Sequence, residues 1–176
     1  MEHTLLYQIT ETSRYMMAFV IVTRENNVIV IDGGRPKDMP LVKQYIGGRH
    51  ISAWILSHAH SDHISGFIRE IERNGGADFD LETLYYNFPP YQSEPPAGTP
   101  NPDYFMEEMN EMLPAFAAIE PQLAGKTHIV RQGESIQIDE CRIDFLFTKG
   151  EIKAIDARIP NVVVSDHRPY VATVEL

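Results

Sequence analysis

The chain has 176 residues, and 43% of its side chains are hydrophobic, which suits one domain with a real core. A net charge of −10 with no basic stripe excludes a general binder of nucleic-acid phosphates, although a nucleotide-type substrate held through a metal stays open. The single cysteine, Cys141, excludes an internal disulfide and a cysteine zinc cluster and reads as a small apolar strand residue.

The chain starts Met1-Glu2-His3-Thr4, with no basic region before a long apolar run, and no window approaches a membrane span. A cytoplasmic protein is expected. Residues 4–9 and 17–23 read as strands rich in Leu, Tyr, Val and Ile. The polar turn Glu25-Asn26-Asn27 leads to a third strand over 28–31, making an antiparallel meander. Asp32-Gly33-Gly34 ends it. Asp32 is either a turn or cap carboxylate or a group that orients a metal-binding histidine. A short helix follows, with Asp38 as its cap and Leu41, Val42 and Tyr45 as its buried face. Gly47-Gly48 stops it.

Residues 50–56 form a strand with Trp54 in the core. It delivers His58-Ala59-His60-Ser61-Asp62-His63. Imidazole and carboxylate are the usual ligands of divalent transition metals. His58 and His60 are two apart, so in extended chain they point the same way and share one metal. Asp62 and His63 fall where a helix begins and face the same cavity from another side, which suggests a second metal. Beyond them Ile64, Phe67, Ile68 and Ile71 form one apolar helical stripe, and Asn74-Gly75-Gly76 ends that helix. The motif therefore lies at the C-terminal end of a strand, a common place for a site in an α/β protein.

Residues 81–88 read as a strand. The proline-rich stretch over 89–102 reads as a lid, a binding loop or a disordered segment, in which Tyr91 either pins the loop or touches substrate. Asn101-Pro102 starts a helix that runs to about residue 123, and Pro114 should kink or split it. Its stripe of Met106, Met109, Met112, Leu113, Phe116 and Ile119 is core. Strands follow over 127–131, 135–138 and 142–147. His128 is either an exposed edge residue or a late metal ligand.

His58-Ala59-His60-Ser61-Asp62-His63 resembles the HxHxDH signature of the metallo-β-lactamase superfamily. Asp32-Gly33-Gly34 after its strand resembles that fold's upstream turn, and the likeness covers roughly residues 5–147. The resemblance implies an α/β fold with a mixed sheet and packed helices. A partial αββα sandwich is expected, in a single domain over 1–176 with a family-like part, 1–147, and an atypical tail, 148–176. It also implies one or two zinc ions or a similar divalent metal. His58 and His60 would share one ion, and Asp62 and His63 a second. The later histidines and bridging aspartate of that family have no clear match here.

From near Cys141 onward, Arg142-Ile143-Asp144 and Ser165-Asp166-His167 resemble the C-terminal end of the endonuclease/exonuclease/phosphatase family, where the SDH motif supplies an aspartate–histidine pair. Asp166 and His167 read equally as turn residues, or as a late ligand if the tail folds back. The expected function is hydrolysis by metal-activated water, with Asp62 orienting the nucleophile and the substrate a small-molecule or nucleotide-type compound. Two alternatives stand beside it: a non-catalytic metal-binding remnant of the fold, and a nuclease or phosphatase acting through Asp166 and His167. The sequence sets no oligomeric state.

Overall fold

Six strands in chain order make one mixed sheet: β1 (Leu5–Gln8), β2 (Ala18–Val22), β3 (Val28–Asp32), β4 (Ile51–Leu56), β5 (Leu81–Tyr86) and β6 (Thr127–Ile129). The first three form the expected antiparallel meander, and β3 to β6 run parallel. Parallel neighbours need crossovers, and helices supply them. They are α1 (Met39–Ile46) between β3 and β4, α2 (Ser61–Asn74) between β4 and β5, and α3 (Pro102–Ile119) between β5 and β6. The computed structural model describes residues 2–12, 14–88, 94–95 and 101–145. The proline-rich loop with Tyr91 lies mostly outside these residues, and the tail with Asp166 and His167 lies wholly outside them.

The chain divides into two compact units, 1–130 and 131–176. In the first, one cluster unites alternate strand residues with the apolar stripes of the three helices. Val20, Val30, Trp54, Leu56 and Leu84 meet Val42, Phe67, Ile71, Met112 and Phe116 there. Trp54 is fully buried, with its ring centroid 4.8 Å from that of Phe67. All four residues expected on the α2 stripe are buried. In the second unit, β7 (Ser135–Ile138) and β8 (Cys141–Asp144) form an antiparallel hairpin, with Cys141 buried.

Four local expectations need correction. Helix α1 buries Met39, Val42 and Ile46, whereas Tyr45 is 37% exposed and its ring lies 4.6 Å from that of Tyr7. Asp38 holds the cap position but makes no cap bond. Its Oδ1 accepts from the Thr12 backbone N–H and hydroxyl, and its Oδ2 from the Arg35 N–H, so it ties down the loop before α1. Helix α3 runs unbroken through Pro114, then tightens into a 3₁₀ turn, Glu120–Leu123. Pro114 and Asn110 are both exposed, so the carbonyl that loses its helical partner can be met by water. Asn101, also expected as a cap, makes no side-chain cap bond.

Gly66 fixes how closely α2 approaches the loop after β3. Its N–H donates to the Gly34 carbonyl at 2.9 Å. A Cβ at Gly66 would stand 2.6 Å from the Gly33 carbonyl oxygen and 2.9 Å from those of Gly34 and Arg35. Only glycine allows that contact. It brings the ends of β3 and β4 and the start of α2 together.

Candidate metal centre

Parallel pairing sets Ile31 beside Ile55, so the two strands end side by side and Asp32, the last residue of β3, reaches Ser57 just beyond β4. Asp32 is fully buried and adopts a left-handed backbone, φ 58°. That conformation is uncommon for any residue but glycine, and aspartate is among those that tolerate it. Its Oδ1 accepts from the Ser57 N–H at 2.8 Å, and its Oδ2 from the Ser57 hydroxyl at 2.8 Å. Oδ2 also meets His63 Nδ1 at 2.7 Å. Asp32 thus closes the strand end and orients a histidine. The turn role read from the sequence is present, and the histidine it holds is His63 of the motif.

These bonds fix two tautomers. The Ser57 hydroxyl has one proton and gives it to Asp32. His58 Nδ1, 3.0 Å from that oxygen, must therefore donate to it. His63 Nδ1 donates to the Asp32 carboxylate. Each ring is left with Nε2 as its lone-pair nitrogen when neutral, the arrangement that prepares a histidine to bind a metal. Burial opposes a charge on His63. The hydrogen bond and charge of Asp32, with Asp62 adding to them, overcome that and hold its pKa above the ordinary value.

The three imidazoles cluster. His58 lies 4.5 Å from His60 and 3.9 Å from His63, ring centre to ring centre. His63 Nε2 is 3.9 Å from Asp62 Oδ2, and both side chains are buried. Among the described residues, no group of three or more His, Cys, Asp or Glu side chains stands placed to hold a metal ion. Imidazole and carboxylate are zinc-type donors, and the described residues close no four-ligand set. His128 is exposed on edge strand β6, its ring 5.4 Å from that of Tyr85. Asp166 and His167 lie outside the described residues.

Four residues of the site were not singled out from the sequence. Ser57 joins Asp32 to His58. Glu108, on α3 and 8% exposed, accepts from the Ser61 N–H at 2.6 Å and the Ser61 hydroxyl at 3.0 Å. It satisfies the start of α2 from another helix, and its charge suits that end of the helix dipole. Its one visible signal is an acid beside the apolar stripe of α3. Arg35 Nη1 donates to the Ser61 hydroxyl at 3.1 Å. Tyr104 stands 6.1 Å from the His60 ring. Burial first, then the charge of Glu108, push its phenol up to about 12, so it remains a donor at neutral pH.

The model of the metallo-beta-lactamase superfamily matches residues 17–106, which span β2 to the first turn of α3 and include the whole motif. No curated protein matches the sequence. Among solved structures the chain is similar to MEM-A1, a subclass B3 metallo-beta-lactamase from a soil metagenome library. The TM-score is 0.51 and the identity 21%, over 85% of this chain and 53% of that one. It is also similar to the metallo-beta-lactamase fold protein YhfI from Bacillus subtilis, with TM-score 0.49 and identity 15%, over 86% of this chain and 55% of that one. The chain spans about half the length of either. Among the described residues no helix is long and apolar enough to cross a membrane.

Proposed function

The chain belongs to the metallo-β-lactamase superfamily, whose members are often metal-dependent hydrolases, and from that premise we propose that it hydrolyses its substrate with a zinc-type ion at the histidine cluster. The observation that carries the reading is the pair of fixed tautomers: Asp32 and Ser57 leave Nε2 of His58 and His63 as lone-pair nitrogens. His58 and His60 would hold one ion, and Asp62 with His63 a second. When bound, such an ion makes water a nucleophile near neutral pH. Asp62 orients that nucleophile, and Asp32 keeps His63 in place through the turnover. The incomplete ligand pairs favour one second reading, a chain that binds metal without turnover. The nuclease reading rests on Asp166 and His167, and nothing in the described residues supports it.

The test is metal stoichiometry together with hydrolysis of generic ester and phosphodiester substrates. Bound zinc, lost on replacing His58 and His60 with alanine, and activity abolished by chelator and by Asp62→Ala, are expected. Activity that survives both treatments would overturn the hydrolase reading. Zinc binding without activity would select the second one.

A further inference from the structure

Beside the histidine cluster lies a cleft of about 450 Å³. Its lining includes Arg14 and Arg35, Ser61 and Tyr104, and Glu108 and Glu111. Ser61 stands between His60 and Asp62 in the chain, and Tyr104 lies against His60, so the cleft adjoins the proposed metal pairs.

The charges in it are not equivalent. Glu108 is committed to the Ser61 N–H and hydroxyl and is hydrogen-bonded by Tyr104. Arg35 gives Nη1 to Ser61, but its Nε is buried and has no hydrogen-bond partner among the described residues. Arg35 nonetheless lines the cleft, and a guanidinium fork suits a group with two acceptor oxygens. Arg14 is exposed and forms no ion pair among the described residues. Glu111 is exposed as well. Two guanidinium groups and two carboxylates line the cleft, so their formal charges cancel. Binding then depends on directed hydrogen bonds rather than on net field, and a second negative charge on the ligand meets Glu111 without compensation.

We propose that this cleft is the substrate subsite of the centre and takes a singly charged anionic group with two terminal oxygens, a carboxylate or a phosphodiester, on Arg35 and Arg14. The inference rests on the hydrolase reading for calling the ligand a substrate, but its test does not use activity. The chelator-treated 176-residue chain is titrated with N-acetylglycine, dimethyl phosphate and, as a dianion, methyl phosphate at pH 8, and the arginine Nε–H signals are followed by NMR. At least one monoanion should bind, more tightly than the dianion, and the tighter of the two identifies the source. Arg35→Gln should weaken binding roughly tenfold or more. Arg14→Gln, at an exposed position, should weaken it severalfold with an unchanged melting temperature, which covers the case that Arg35→Gln fails to fold. Failure of both monoanions to bind, affinity unchanged in the arginine variants, or preference for the dianion overturns the proposal. Chelator-sensitive hydrolysis with no anion binding removes this inference alone. Anion binding with no hydrolysis removes only the hydrolase reading.

Discussion

Asp32 and His63 lie 31 positions apart in the chain and meet in one buried hydrogen bond, Nδ1–H to Oδ2 at 2.7 Å. That bond joins the end of β3 to the first turn of α2. The same carboxylate holds both the N–H and the hydroxyl of Ser57. One side chain therefore sets the shape of the centre.

Replacing it tests that statement. Asp32→Asn keeps a residue that tolerates the left-handed backbone, but its amide nitrogen cannot accept a hydrogen bond. Whichever way the amide turns, either the Ser57 N–H on Oδ1 or the Ser57 hydroxyl and His63 on Oδ2 lose their acceptor. Stability should fall by about 1–3 kcal/mol, and zinc affinity by about 10–100-fold. Denaturant titration and calorimetry measure the two. Wild-type zinc affinity in a folded Asp32→Asn protein would show that His63 needs no such support.

Gly66→Ala should destabilise, against the usual direction for a helix interior. Alanine normally favours a helix over glycine by about 1 kcal/mol. Here the new Cβ meets three backbone carbonyl oxygens, the nearest at 2.6 Å, and backbone cannot swing aside as a side chain can. A loss of about 1–3 kcal/mol is expected in chemical denaturation. A gain would mean that α2 sits farther from the loop.

Phe67→Ala should cost about 3–5 kcal/mol, because the ring is fully buried against Trp54. Trp54 is the only tryptophan, so its fluorescence should report the change directly. A cost under about 1 kcal/mol would contradict the packing of α2 on the sheet.

His50 gives a pH-dependent term remote from the centre. Its ring nitrogens lie 3.0 Å from Glu82 and 3.0 Å from Asp80, and hydrogen bonds to Glu82 first and Asp80 second raise its pKa above 6.5. A raised folded-state value stabilises fully below the unfolded pKa, and the stabilisation is lost as pH rises through the raised value. The side chain is 39% exposed, so the effect should stay below about 1 kcal/mol. The melting-temperature gap between the wild type and His50→Gln should be wider at pH 6 than at pH 9. An equal gap at both would show that the carboxylates do not charge the ring in the fold.

The sequence by itself determined the strands, the α2 stripe and the four ligand-type residues of the motif. Each is a local pattern: alternation along a strand, a three-to-four spacing along a helix, a run of six residues at a strand end. It misplaced Tyr45, because a second aromatic from β1 holds that ring outside the core. Of the kink or split expected at Pro114 the split does not occur, because whether a proline splits a helix depends on whether the freed carbonyl can reach water. Only the tertiary structure decided what surrounds the motif. Asp32 reaches Ser57 across 25 positions, Arg35 reaches Ser61 across 26, and Glu108 reaches Ser61 across 47. No residue pattern encodes such partners. They meet because parallel strands end side by side, and because Gly66 lets a helix rest directly on the backbone of the loop that carries Arg35.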